Sequence, residues 1–179
     1  MAGEFRAARS SVLSGATKEE IAVETVTSAD GTVIAYDRAG DGPVLIVSVG
    51  AFCTRHTFAA PRDLTRQFTV VTYDRRGRGD SGDTQPFAPE REYDDLAAVA
   101  AATGTEPPFV FGHSSGAAIA LRAAARGLPV AGIAAYEAPF TNDETPPPGA
   151  RLPMLEGHDH NAPPEVIAPI LIEFLGARR

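Results

Sequence analysis

Gly112-His113-Ser114-Ser115-Gly116 sets a potential nucleophile, Ser114, between two glycines. The pentapeptide lies between an apolar run, Pro108-Phe109-Val110-Phe111, and an alanine-rich run from Ala117 to Arg126. At a strand-to-helix joint, a G-x-S-x-G sequence drives the serine backbone into a strained turn. The glycines let strand and helix approach closely enough for that turn to close. Such a turn lifts the serine Oγ clear of the sheet and points the positive end of the following helix at it. The predicted chemistry is nucleophilic: Ser114 attacks an electrophilic carbon once a base takes its proton.

The pattern along the chain supplies the elements that would hold Ser114 in place. Ile21 to Thr27 and Thr32 to Tyr36 alternate apolar and polar residues around a turn at Ser28 to Gly31, which predicts a hairpin. Val44 to Val47 and Phe68 to Tyr73 are apolar runs suited to strands covered on both faces. A loop from Ser48 to Arg55 leads into a predicted helix near His56–Arg66, and Asp74 to Gln85 reads as a glycine-rich loop. Glu90 to Thr103 is predicted helical, with Leu96, Val99 and Ala100 on one face. The strand around Phe109, the helix after Ser114 and a strand from Val130 to Tyr136 follow. Strands alternating with helices predict an α/β fold with a mostly parallel sheet. After a polar, proline-rich stretch from Thr141 to Pro148, Val166, Ile167, Ile170, Leu171, Phe174 and Leu175 recur at helical spacing within Pro164 to Leu175. Pro169 within that stretch either bends the helix or marks a late start.

Composition narrows the class. With 179 residues, 44% hydrophobic and 22% charged, the chain suits one soluble globular domain, assigned to residues 21–179 behind an N-terminal arm at 1–20. A net charge of −7, without basic runs interleaved with aromatic residues, argues against nucleic acid as a partner. No run reaches the length of a membrane span, so no membrane association is expected. The single cysteine, Cys53, excludes an internal disulfide framework and points to a reducing, cytoplasmic location. Four histidines, His56, His113, His158 and His160, are scattered without metal-ligand spacing, and neither a metal nor a cofactor is expected.

Taken together, several segments resemble the α/β-hydrolase superfamily. They are the hairpin, the strand Val44–Ser48, the segment Tyr73-Asp74-Arg75-Arg76-Gly77-Arg78-Gly79-Asp80-Ser81-Gly82 and the Gly-His-Ser-Ser-Gly elbow. The ending, Leu155-Glu156-Gly157-His158-Asp159-His160 before an amphipathic helix, is similar to the histidine loop and final helix of that superfamily. The resemblance implies a mostly parallel twisted sheet flanked by helices and a serine hydrolase of esterase type acting on a small ester. Ser114 would be the nucleophile and His160 the general base, with His158 as its rival. The backbone N–H groups of Ala51 and Ser115 would form the oxyanion hole. His113 reads as packing or loop support, His56 as a surface or pocket-rim residue. Asp80, Arg76 and Arg78 would fasten the loop after Tyr73 through salt bridges.

The chain departs from the superfamily after the strand ending at Tyr136. The helical cap, the seventh strand and the aspartate that strand carries have no counterpart, because only Phe140 to Gly149 precedes a run, Ala150 to Leu155, that resembles the eighth strand. Glu137, directly after the sixth strand, would be the substitute acid by the same resemblance, since haloalkane dehalogenases in that superfamily place theirs at the equivalent spot. Asp143 and Glu144 are alternatives. Asp159 is a poor orienter, because adjacent side chains on an extended segment diverge. Missing cover leaves apolar surface, which predicts a homodimer, with the last strand and helix swapped between copies or the Phe140–Ala150 connection running bare across one face. Two other readings stand beside the esterase: a catalytically silent scaffold that binds a ligand or partner, and an elbow used for perhydrolysis or lyase chemistry. Fold alone does not choose among them.

Overall fold

The computed structural model describes residues 23–139 and 162–176. Two short strands open it, β1 (Glu24–Thr27) and β2 (Val33–Ala39), paired antiparallel with Glu24 opposite Tyr36. The turn between them is closed by Ser28 N–H to Thr32 O at 2.8 Å and by Thr32 N–H to Asp30 Oδ1 at 3.1 Å. Four further strands follow: β3 (Val44–Ser48), β4 (Thr69–Tyr73), β5 (Phe109–His113) and β6 (Gly132–Tyr136). They complete a six-stranded sheet of order β1-β2-β4-β3-β5-β6 in which β4, β3, β5 and β6 run parallel. The α/β class, the mostly parallel sheet and the N-terminal hairpin are as the sequence predicts.

Side chains alternate across the parallel strands and feed two cores. Leu45, Val47, Val70, Phe109 and Phe111 face one side, where α1 (Arg62–Thr65) and α4 (Pro164–Gly176) cover them with Leu64, Ile167, Leu171 and Leu175. Ile46, Val71, Tyr73 and Val110 face the other side, under α2 (Pro89–Thr103) and α3 (Ser115–Ala125), which contribute Leu96, Val99, Ile119 and Ala120. Burial on both faces explains why apolar residues run consecutively in these strands, as in Leu45–Val47, Val70–Val71 and Phe109–Phe111, instead of at alternate positions.

Two element predictions need adjustment. The helix expected near His56–Arg66 is broken into one turn of 3-10 helix at Arg55–Thr57 and the four-residue α1. Pro61 caps α1 with extended backbone, and a residue preceding proline is pushed away from helical geometry, so Ala60 cannot join the two pieces. In α4 the helix runs through Pro169, whose ring lies on the exposed side. The predicted apolar face of α4 packs against the sheet, with Ile167, Leu171 and Leu175 buried and Val166, Ile170 and Phe174 half-buried. The N-terminal arm, the Thr141–Pro148 stretch and the strand expected at Ala150–Leu155 lie outside the described residues.

The order of the strands decides where a site can form. From β3 the chain passes to β4 on one side, then returns to β5 on the other. Connections therefore leave β3 and β5 in opposite directions, opening a crevice at their carboxyl ends. The loop after β3 and the elbow after β5 both stand at that crevice.

Candidate active site

Ser114 occupies the step between β5 and α3 with φ 53° and ψ −125°, a left-handed conformation that an L-residue holds only when its surroundings impose it. Its N–H donates to Tyr136 O at 2.9 Å, which ties the elbow to the end of β6. Both flanking glycines are required by contact. A methyl group on Gly112 would overlap the Ala117 backbone, and one on Gly116 would overlap the Ser48 carbonyl. The elbow closes because these two positions carry no side chain.

Helix α3 begins immediately after Ser114. Ala117 N–H and Ala118 N–H both turn back to Ser114 O, at 2.9 and 3.3 Å. At the first position of a helix, the Ser115 N–H has no intrahelical acceptor and points outward from the positive helix end. The loop after β3 comes up against the same spot: a methyl on Gly50 would sit 3.5 Å from Ser114 Cβ and 3.5 Å from His113 Nδ1. Ala51 follows in a turn closed by Cys53 N–H to Gly50 O at 3.3 Å.

Charged side chains from the loop after β4 are buried beneath this arrangement. Asp74 is fully buried and accepts from the Arg55 N–H at 2.8 Å, from the Asp80 N–H at 2.9 Å and from the Arg55 guanidinium. Arg55 reaches Asp37 at 3.0 Å and Asp80 at 2.7 Å with its remaining nitrogens. Arg75 forms a two-pronged pair with Glu92 of α2, at 2.5 and 2.7 Å, and donates through Nη1 to Ser115 Oγ at 2.8 Å and to Val49 O at 3.4 Å. Burial alone would lower the Arg75 pKa, but the Glu92 hydrogen bonds reverse this and hold it above the ordinary guanidinium value. Arg76 pairs with Asp95 at 2.7 and 2.8 Å and with Asp30 at 2.8 Å. On the same side, burial pushes the Tyr73 hydroxyl up to about 12, with Ser48 Oγ 2.9 Å away as its hydrogen-bond partner.

Arg76 and Asp80 fasten the loop after Tyr73 as expected, but Arg78 does not share in this. Its Nη1 is buried without a hydrogen-bond partner among the described residues, and burial, together with the neighbouring Arg75, lowers its pKa. Three nearby carboxylates are already engaged: Asp80 by Arg55, Glu92 by Arg75, Asp95 by Arg76. Asp74 and Arg75 stand in a segment the sequence marks, but neither they nor Arg55 are assigned a role there. The available signal was on α2, where Glu92 and Asp95 share the helical face of Leu96 and Val99, so two acids point toward the sheet and need buried cations.

Of the predicted site residues, Ser114, Ser115, Ala51 and Glu137 stand together at the carboxyl ends of β3, β5 and β6. Glu137 directly follows Tyr136, whose carbonyl receives the Ser114 N–H, and it too has a left-handed backbone, φ 52°. His113 stacks on Tyr136 with ring centroids 5.6 Å apart, the packing role expected of it. His56 is exposed, 3.7 Å from Asp37. His160, its rival His158, and the alternative acids Asp143, Glu144 and Asp159 lie outside the described residues. Among the described residues no group of three or more His, Cys, Asp or Glu could hold a metal ion, and no helix is long and apolar enough to cross a membrane.

Beside the elbow lies a cavity of about 200 Å³, lined by Val49, Cys53, Phe58, Phe111, His113 and Ile167 among others. Val49 and Cys53 flank Ala51, and His113 precedes Ser114, so the cavity adjoins the elbow and the loop after β3.

Comparison with known proteins gives a consistent picture. The chain is 35% identical over 95 residues to the uncharacterized hydrolase YraK of Bacillus subtilis, covering 51% of this chain and 35% of that one. It is 34% identical over 96 residues to the N-formylmaleamate deformylase of Pseudomonas putida, covering 52% and 35%. Among solved structures, an alpha/beta hydrolase from Sphaerobacter thermophilus matches with TM-score 0.64 and 52% identity, over 68% of this chain and 47% of that one. The esterase RhEst1 from Rhodococcus sp. matches with TM-score 0.61 and 27% identity, over 65% and 46%. The chain thus spans less than half the length of each of these four relatives. The profile of one family matches residues 44–178, from β3 past the end of α4, and on that match the chain belongs to the alpha/beta hydrolase family.

Proposed function

We propose that the chain is a serine esterase that cleaves small acyl esters through an acyl-serine intermediate. In the first step the Ser114 Oγ–H gives its proton to His160 as Oγ bonds to the ester carbonyl carbon. The bond to the alkoxide then breaks, and His160 returns the proton to the departing alcohol. In the second step His160 takes a proton from water, the resulting hydroxide attacks the acyl carbon, and Ser114 leaves with that proton restored. The Ala51 and Ser115 amides hold the oxyanion in both steps, each donor contributing about 3 kcal/mol. Glu137 keeps the imidazole in the correct tautomer and offsets its transient positive charge.

The observation that carries this reading is the strained Ser114 backbone at the start of α3, with the loop after β3 packed against it. Strain of this kind is kept where it serves a site. The adjoining apolar cavity suits a short acyl or alcohol group. The decisive experiment compares wild type with Ser114→Ala, using fluorophosphonate labelling and p-nitrophenyl acetate hydrolysis. Labelling and turnover are expected in the wild type and absent from the variant. Labelling that survives the substitution refutes the nucleophile, and a wild type without turnover favours the silent scaffold.

A further inference from the structure

The donors of Arg75 divide into two sets. Nε and one Nη2 hydrogen are committed to the Glu92 carboxylate, which fixes the plane and direction of the guanidinium. Nη1 then faces the elbow and reaches two groups from different elements: Ser115 Oγ, on the first residue of α3, and the Val49 carbonyl, at the start of the loop that carries Ala51. The preceding residue, Asp74, holds the far end of the same loop through the Arg55 N–H. The loop from Val49 to Arg55 is therefore pinned at both ends by consecutive residues of the loop after β4. One of those residues also grips the elbow.

We propose that Arg75 is a positioning residue for the oxyanion hole, setting the spacing between the Ser115 and Ala51 amides through its bonds to Ser115 Oγ and Val49 O. This rests on the reading of those amides as the oxyanion donors. Arg75 touches neither substrate nor reacting atoms; it acts through the two backbones it joins. Among the described residues no other charged hydrogen bond joins α3 to the loop, and a misplacement of about 1 Å in a donor is enough to cost about 10²-fold in rate.

Two variants separate positioning from folding. Ser115→Ala keeps the Ser115 amide and the Arg75–Glu92 pair, removing only the Oγ end of the link. The double variant Arg75→Met with Glu92→Gln removes both charges together, so no lone buried ion is left behind. For each, kcat and KM on p-nitrophenyl acetate are measured alongside hydrogen exchange of the peptide covering residues 49–53 and the thermal midpoint. The expected result is a kcat at least about tenfold lower in the double variant, with KM within about threefold. Exchange in the 49–53 loop should be faster while the rest of the sheet remains protected. Ser115→Ala should fall between the double variant and wild type. Unchanged kcat in a folded double variant overturns the proposal, as does a lower kcat without faster loop exchange, or faster exchange without loss of kcat. A wild type lacking Ser114-dependent turnover overturns the hydrolase reading and this proposal with it. That outcome is recognised from the wild type and Ser114→Ala, before any Arg75 variant is made.

Discussion

Ser114 and Glu137 are the two non-glycine residues with positive φ among the described ones, and the hydrogen bond from Ser114 N–H to Tyr136 O sets them next to each other. A residue held in so unfavourable a region marks a place where the fold sacrifices local stability. If Glu137 orients the base, Glu137→Gln should lower kcat by about 10²-fold or more while leaving the circular dichroism spectrum unchanged, because an amide stabilises the wrong imidazole tautomer. Turnover close to wild type removes Glu137 from the mechanism. At the opposite edge of the sheet, the Arg76 guanidinium and the Thr32 hydrogen bond hold Asp30 well below the usual carboxylate range. A carboxylate with a depressed native pKa stabilises the fold above its unfolded pKa and loses that contribution as pH falls toward the native one. Asp30→Asn should therefore unfold at a lower temperature than wild type at pH 7, and the gap should narrow progressively below about pH 4. A gap independent of pH from 7 to 3 would show that the Asp30 charge contributes nothing.

At the scale of elements, the loop after β4 acts as a hub. It sends Arg75 and Arg76 to α2, Asp74 to the loop after β3, and Ser81 to β2 through the Ala35 N–H at 2.9 Å. Arg76 and Asp95 are nearly inaccessible to solvent, so Asp95→Ala leaves a buried guanidinium with only Asp30 to offset it. Loss of one partner of such a pair costs about 3–5 kcal/mol, which urea unfolding would register as a lower midpoint at unchanged slope. A change within about 0.5 kcal/mol would mean that the pair is solvated in solution. The glycines of this loop marked it in the sequence, but which acid each arginine takes was not legible there. The partners lie on α2, on the β1–β2 turn and in the loop after β3, and only the packed sheet brings them within reach. The helix predicted near His56–Arg66 is broken for a simpler reason: the backbone restriction before Pro61 interrupts it.

The molecule as a whole is organised around the point where the chain reverses direction across its sheet. Reversal between β3 and β5 puts the Gly50–Ala51 turn beside the Ser114 elbow, although more than sixty residues separate them in sequence. Phe52, next to Ala51, is fully exposed, and Phe87 and Val33 are exposed as well. Apolar surface of this kind favours association. We propose that the chain pairs with a second copy in solution, and static light scattering at micromolar concentration should give about twice the 18.7 kDa chain mass. A mass of one chain would refute pairing.

The sequence by itself determined the class of fold, the six described strands and the sharp turn at Ser114, because each follows from local rules: alternation in the hairpin, apolar runs in the buried strands, 3.6-residue periodicity in the helices, and the steric demand for glycine on both sides of a sharp turn. Tertiary structure alone decided that Arg75 joins the elbow to the loop after β3, that Arg55 and Asp74 are buried partners, and that Arg78 keeps a buried nitrogen unsatisfied among the described residues. A buried charge is tolerated only where a partner from a distant segment meets it, and no local pattern records which segment that will be.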